Sequence, residues 1–373
     1  LQILSLSTSN FRNLEAGTIS FSRRANLIGG ANGQGKTNLL EALCVLGNLR
    51  SFRGASPRTM VCHGEAGFRL AAELVGPDGR RTLEQHVTVG PPTVRKLLVD
   101  GRAAALAEYL TLCPVFSLSS ADDQLVLGPP RHRRAYLDRL AFLLEPKSLA
   151  EIRRYQRALR QRNAALSAGA TDDALAAWEK PLAAAAANIV VTRRRALESV
   201  RSRVLTIYRE SGGEGFPELT LAYLGEGWLK EEKLLEILEK SYETRYNQSR
   251  ARDRNAGHTL EGPHRHDLRL LADGRPVRDV LSSGQTKVAA AALRLASVVS
   301  VEEDRGDRFP LVMDDVDAEL DNAVLRRLTG ALDDGRQLFL SSARPEPPLD
   351  AAAETLSFEL SRGHCQRRTA AGE

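Results

Sequence analysis

The eight residues Gly30-Ala31-Asn32-Gly33-Gln34-Gly35-Lys36-Thr37 carry the most specific chemistry in the chain. They match the phosphate-binding pattern G-x-x-x-x-G-K-[ST] at every fixed position. Glycines let successive backbone N–H groups converge on phosphate oxygens, and a helix that starts there adds the partial positive charge of its N-terminus. In such a loop Lys36 reaches the β- and γ-phosphates of ATP, and the Thr37 hydroxyl holds Mg²⁺. The loop residues from Gly30 to Asn38 are therefore the expected nucleotide cradle.

Two further groups have matching chemistry. Leu311-Val312-Met313-Asp314-Asp315 reads as an apolar strand that delivers carboxylates at its C-terminal end. This is the second metal-holding element of P-loop NTPases, with Asp314 on Mg²⁺ and Asp315 placed to orient or deprotonate an attacking water. Leu281-Ser282-Ser283-Gly284-Gln285 matches the ABC-ATPase signature L-S-G-G-Q except at Ser283. It opens a helix upstream of the aspartates, and a helix N-terminus with a serine hydroxyl and a flexible glycine suits a γ-phosphate. In that class Ser282, Gly284 and Gln285 face a nucleotide held by the partner protomer. Ala318-Glu319-Leu320-Asp321 then corresponds to the D-loop.

The elements that must position these groups follow from periodicity. Ala25 to Leu27 and Ile28 read as a buried strand before the glycine loop, and Asn38 to Leu46 as a helix after it. Short strands at Ile3 to Leu6 and Thr18 to Phe21 lead in. Phe68 to Val75, Leu83 to Val89 and Val94 to Val99 form an antiparallel meander around Gly76-Pro77-Asp78-Gly79. From Arg131 the pattern becomes helical. A long alanine-rich stretch begins at Asp172-Asp173, runs to about Arg209, and is expected to be kinked or split at Pro181. Strands resume after His258, and residues beyond Gly363 read as a frayed tail. The fold class is α/β: an ABC-type head over residues 1–130 and 256–373, with a mixed sheet and an antiparallel β subdomain. A mostly helical arm is inserted over residues 131–255.

Composition sets the limits. The 373 residues suffice for one large or two ordinary domains, and no apolar window of about 18 residues suggests a membrane span. The first residues lack a basic-then-apolar leader profile, which predicts a cytoplasmic protein. Cys44, Cys62, Cys113 and Cys365 are scattered, arguing against a disulfide framework or a zinc site. His258, His264 and His266 cluster without ligand spacing and read as solvated or phosphate-facing. The net charge of +5 is compatible with nucleic-acid binding. Arg153, Arg154, Arg157, Arg160 and Arg162 form one candidate DNA-contacting face, with Arg193, Arg194 and Arg195 as a second cluster. A solvated helix face remains the alternative for each. No aromatic platform accompanies them, so backbone binding with little base readout is expected.

The chain resembles the RecF recombination and repair ATPases, within the ABC branch that also holds SMC-type proteins. The resemblance runs over essentially the whole sequence. It rests on Asn10-Phe11-Arg12-Asn13, the extended loop Gly33 to Ala42, Ser51-Phe52-Arg53, Arg133-Arg134-Ala135-Tyr136-Leu137-Asp138 and Gln161-Arg162-Asn163. Gly262-Pro263-His264-Arg265, Ser282-x-Gly284-Gln285 and Asp314-Asp315 complete it. The resemblance implies an ATP-dependent homodimeric clamp on DNA at gaps or single-strand/double-strand junctions. It also implies slow hydrolysis, and work with mediators of the RecR/RecO type to place RecA. By the same resemblance Arg12 stands near the γ-phosphate and Arg53 near the nucleotide edge.

Two departures from transporter-type ATPases predict slow turnover. Ser341-Ser342-Ala343 stands where those enzymes carry a switch histidine, and Asp315 replaces a longer glutamate. Asp122, Asp123 and Gln124 all remain candidates for the Q-loop contact to a metal-bound water. The alternative functions are an SMC-like DNA-bridging ATPase and, less well matched, the nucleotide-binding subunit of a transporter.

Overall fold

The computed structural model describes residues 1–229, 234–315, 321–330, 335–342 and 355–368. It divides into two compact units. The first comprises Leu1–Asp123, Ile207–Phe216 and Ser282–Glu373, and the second Gln124–Thr206 and Pro217–Leu281. The second unit begins before and ends after the 131–255 span expected for an arm, and residues 207–216 within that span group with the first unit.

Two six-stranded sheets build the first unit. One is antiparallel, from β1 (Gln2–Ser9), β2 (Gly17–Ser20), β4 (Gly67–Gly76), β5 (Gly79–Thr88), β6 (Val94–Val99) and β7 (Arg102–Ala103), in the order β2-β1-β4-β5-β6-β7. The other uses β3 (Ala25–Gly29), β8 (Phe116–Ser119), β12 (Leu311–Asp314), β13 (Leu338–Ser341), β14 (Thr355–Ser361) and β15 (His364–Arg367), in the order β15-β14-β3-β13-β12-β8. All its pairings are parallel except the hairpin β14–β15 at one edge. Of the tail expected to fray beyond Gly363, His364–Arg367 form a paired edge strand, and residues after 368 lie outside the described ones. Gly363, at φ 87°, makes its turn, and its ladder satisfies backbone groups that the sequence pattern left unassigned.

The helix Lys36–Asn48 contacts strands of both sheets, and Leu39, Leu40, Leu43 and Val45 are fully buried on several of its sides. This explains why its sequence is apolar nearly all round instead of on one stripe. Gly47 is required in the last turn, because a Cβ there would lie 2.4 Å from the Cys113 carbonyl oxygen. Phe21 packs edge-on against Phe339 and Phe358, fastening β2's exit to the parallel sheet.

In the second unit, β9 (Leu219–Leu224), β10 (Asp267–Ala272) and β11 (Arg275–Pro276) form an antiparallel sheet in the order β11-β10-β9. The helices Pro130–Leu144, Ser148–Ser167 and Leu235–Ala256 accompany it, with most of the helix Asp172–Gly212. That last helix is continuous through Pro181, so the expected split does not occur. Its 41 residues correspond to roughly 60 Å of helix. Leu182, Ala186 and Val190, which follow the proline, pack with Tyr155, Leu238, Tyr242 and Tyr246, and this burial offsets its missing N–H.

Arg162 corrects the reading of the arginine face. Arg153, Arg154, Arg157 and Arg160 are exposed, but Arg162 is fully enclosed. Its guanidinium donates to Asp253 at 2.7 Å, Thr259 Oγ1 at 2.8 Å, Glu179 at 3.1 Å and the Tyr246 carbonyl at 3.0 Å. Such a cation is not available to DNA. The histidines are corrected as well. His266 is buried between Glu226 and the Tyr223 hydroxyl, and His264 meets the Tyr155 hydroxyl at 2.6 Å. Burial pushes the His264 pKa down to about 4, so it is a neutral structural link and not a phosphate ligand. His258 is exposed, as expected.

Removing one partner of a fully buried ion pair leaves the other uncompensated, at about 3–5 kcal/mol. Arg162→Ala is accordingly expected to lower stability to denaturant by about 3 kcal/mol or more, while Arg157→Ala changes it by less than about 0.5 kcal/mol. Equal midpoints for the two variants in urea titrations would contradict the enclosed network.

Candidate nucleotide site

The site follows from one row of strand register. In the parallel sheet Ile28 lies beside Ser341, and Ser341 beside Asp314. These are strand ends, so the loop after β3 emerges level with the carboxylates after β12, at the edge where open α/β sheets bind ligands.

The glycine loop runs from Gly30 to Gly35 with φ of 132° at Gly30, 80° at Gly33 and 117° at Gly35. All three lie where only glycine is unstrained. Space demands glycine at Gly30 as well, since a Cβ would stand 2.5 Å from the Leu360 carbonyl oxygen. Lys36 is almost fully buried and folds back across its own loop, donating to the carbonyls of Gly30 at 2.7 Å and Ala31 at 3.3 Å. Ala31, Asn32 and Gly33 are exposed at the loop tip.

Thr37 and Asp314, far apart in sequence, meet here. The Thr37 hydroxyl donates to Asp314 Oδ1 at 3.1 Å. Ser341 Oγ lies 2.8 Å from the same oxygen and 3.3 Å from Asp315 Oδ1, and accepts from the Asp315 N–H at 2.9 Å. Burial and then the neighbouring Asp315 hold the Asp314 carboxyl above its ordinary pKa; the Ser341 and Thr37 hydrogen bonds and the Arg53 charge act the other way. A half-buried carboxylate with a second carboxylate beside it and only hydroxyl donors on it is a good seat for a divalent cation. Thr37 and Asp314 thus fit the metal role expected of them. Ser341 was noted in the sequence only for not being histidine. Its tie to both aspartates is a tertiary fact.

The other expected residues divide. Arg12 is committed to a bidentate pair with Glu41, at 2.8 and 3.0 Å, and to the Thr59 carbonyl at 2.7 Å. Glu41 is fully buried and also receives the Ser51 hydroxyl. It had no assigned role, although a lone carboxylate in an otherwise apolar helix signals a buried partner. Arg53 is exposed, with one N–H 3.4 Å from Asn38 Oδ1. Among the Q-loop candidates Asp122 is taken: it receives Arg294 at 2.6 and 2.8 Å and the Ser119 N–H at 2.9 Å. Asp123 is half-buried and Gln124 is exposed.

Ser282 caps the helix Ser283–Arg305. Its Oγ accepts from the Gln285 N–H at 3.3 Å, and Gln285 Oε1 accepts from the Ser282 N–H at 2.9 Å, a reciprocal capping box. Ser282, Ser283 and Gly284 are exposed, and nothing lies within 4 Å of a Cβ added at Gly284. Gln285 is therefore a cap in this structure. Of the expected D-loop, Ala318, Glu319 and Leu320 lie outside the described residues; Asp321 caps the helix Asn322–Gly330, accepting from the Val324 N–H at 2.8 Å. Ala343 also lies outside them.

A carboxyl with a raised pKa binds its proton more tightly in the folded state, so its contribution to stability is present at low pH and lost as pH rises through the folded value. Asp314→Asn should consequently raise the melting temperature of the nucleotide-free, metal-free protein at pH 7, and the gain should shrink toward pH 4. A variant that melts lower than the wild type at pH 7 would contradict the assignment of burial as the dominant cause.

The family model described as the RecF/RecN/SMC N terminal domain matches residues 2–360. The DNA replication and repair protein RecF of Anaeromyxobacter dehalogenans (strain 2CP-C) is 37% identical over 340 residues, covering 89% of each chain. RecF of Salmonella paratyphi A is 32% identical over 367 residues, covering 97% of this chain and 99% of the relative. A solved structure of the recombination mediator protein RecF with ATP in the RecFOR pathway superposes with a TM-score of 0.90, at 27% identity over 99% of this chain and 98% of the other. With that register, that loop and these relatives, the chain belongs to the RecF family of the RecF/RecN/SMC group.

Proposed function

We propose that this protein is an ATP-gated DNA-binding switch of recombination and repair. It binds ATP on the glycine loop, closes as a homodimer on gapped or junction DNA, and reopens on slow hydrolysis. The observation that carries the reading is the meeting of Lys36, Thr37 and Asp314 at one strand edge, in a chain whose relatives act in DNA replication and repair and one of which is solved with ATP.

In this reading Lys36 leaves the Gly30 and Ala31 carbonyls for the β- and γ-phosphates. The loop N–H groups of Gly33 to Lys36 bind phosphate oxygens. Thr37 and Asp314 would hold Mg²⁺, which supplies charge neutralisation at the phosphates. Asp315 orients the attacking water. Arg12 and Arg53 flank the nucleotide, Arg53 being free to move and Arg12 anchored by Glu41. Ser282 and Gly284, exposed at a helix N-terminus, meet the γ-phosphate of the second copy. The Ser282 oxygen already accepts from the Gln285 N–H, which leaves its O–H proton to donate.

Turnover is expected to be slow. Ser341, in the place of a switch histidine, is bonded to Asp314 and Asp315 and is not poised to reach a γ-phosphate. DNA contact is assigned to Arg153, Arg154, Arg157 and Arg160, the exposed members of their helix, through phosphates more than bases. Mediators of the RecR/RecO type and RecA are the expected downstream partners. The SMC-like bridging alternative is disfavoured by the helix Asp172–Gly212, which packs into the second unit's own core instead of offering its apolar face to a long coiled coil. Against a transporter subunit stands Ser341, which occupies the place of the switch histidine.

Sedimentation with and without ATP and DNA tests the switch. Lys36→Met is expected to weaken ATP binding at least ~10-fold, one lost charge-assisted contact being worth about 1.5–3 kcal/mol. Ser282→Arg should leave ATP binding intact while preventing dimerisation. Equal loss of binding in both would place the signature in cis and end the two-protomer reading. DNA affinity should fall steeply between 50 and 200 mM salt, ~10-fold or more if a few phosphates are contacted; a flat salt response would remove the arginine face from consideration.

A further inference from the structure

The turn between β14 and β15 is not part of any expected phosphate-binding element, and it lies just past residue 360, where the family model's match ends. Yet it is bonded to the glycine loop at two points. The Arg362 N–H donates to Gln34 Oε1 at 2.6 Å, and the Gly363 N–H donates to the Gln34 carbonyl at 2.9 Å. The Gly363 carbonyl accepts from the Glu15 N–H at 3.0 Å, and His364 pairs with Glu15. The turn is thus anchored on the opposite side to the loop after β1.

The fit is close at every point of this contact. A Cβ on Gly363 would stand 1.8 Å from the Asn13 carbonyl oxygen, and Gly363 has a φ of 87° that disfavours any side chain. Leu360 presses its carbonyl against Gly30 and its side chain against Gly35, whose added Cβ would meet it at 3.3 Å. Asn13 lies against the same glycine and accepts from Asn38 Nδ2 at 2.7 Å. Gln34 occupies a free position of the phosphate-binding pattern, so its side chain is not demanded by phosphate chemistry. Here it turns away from the loop tip and toward the hairpin.

We propose that Gln34 and the Arg362-Gly363 turn form a brace that fixes the glycine loop in its phosphate-ready shape, making Gln34 a positioning residue for nucleotide binding. The inference rests on the ATP reading above. Fixing a glycine-rich loop before the ligand arrives removes part of the ordering entropy that binding must otherwise overcome. The brace accepts hydrogen bonds at the carbonyl and side chain of Gln34. The hairpin itself therefore takes up none of the loop N–H groups; the Gln34 N–H donates within the loop, to the Ala31 carbonyl at 3.4 Å.

MgATP affinity and nucleotide-free melting temperature are to be measured on the full chain for wild type, Gln34→Ala, Gly363→Val, the double variant and Lys36→Met. Gln34→Ala is expected to raise the Kd about 5-fold, the effect of one hydrogen bond, with its melting temperature unchanged. Gly363→Val should raise it at least as much, and the double variant no more than the weaker-binding single, since both act through one brace. Additive losses would mean that Gln34 touches the nucleotide directly, and would overturn the proposal. Unchanged affinity in Gln34→Ala, with or without a lower melting temperature, would overturn it too. If Gly363→Val fails to fold, Gln34→Ala alone decides. Wild-type protein that does not bind MgATP, or Lys36→Met that binds normally, would remove the ATP reading and this inference with it; normal behaviour of both with a normal Gln34→Ala removes only the inference.

Discussion

The parallel alignment of Ile28, Ser341 and Asp314 across three strand ends is the constraint on which the rest depends. Hydrogen-bonded register in a parallel sheet is fixed to the residue, because a one-residue slip would turn every buried side chain to the wrong face. Once β3 and β12 end level with β13, the loop leaving β3 has only one place to go, and Thr37 comes within hydrogen-bond distance of Asp314. The helix Lys36–Asn48 continues from that loop into a space walled by both sheets. Packing of that helix therefore holds the lysine and threonine in position.

Charges are handled by pairing wherever the fold buries them. Glu41 with Arg12, Asp122 with Arg294, and Arg162 with Glu179 and Asp253 each bring a cation and a carboxylate together out of water. Such pairs add little net stability against a well-packed apolar substitute, but a lone member is costly. Two charged groups at the glycine loop depart from this: Lys36, which meets only the Gly30 and Ala31 carbonyls, and Asp314. Asp314 is half-buried, lies beside another carboxylate and is hydrogen-bonded by the Thr37 and Ser341 hydroxyls. That unbalanced carboxyl is the local mark of a site awaiting positive charge.

Much of the site was legible because phosphate chemistry restricts residue types over a short span. A glycine loop, its lysine and threonine, and an apolar strand ending in aspartate are local patterns, and the structure puts them together at one sheet edge. Pairings over long separations were not legible. Arg162 has the same neighbours in sequence as the exposed arginines, and one helical position moves it from solvent to the centre of a buried network. His266 and Gly363 were misread for the same reason: their partners, Glu226 and Asn13, are remote along the chain.

The sequence by itself determined the glycine loop, the helix that opens at the signature, the strand that carries Asp314 and the family to which the chain belongs, since each is written in contiguous residues whose spacing reflects one turn, one helix or one strand. Only the tertiary structure decided that Ser341 ties the two aspartates, that Glu41 holds Arg12, that Arg162 is enclosed, and that the last hairpin grips Gln34. Those contacts join segments up to hundreds of residues apart. Which of them form depends on strand order and register, and neither can be read from local periodicity.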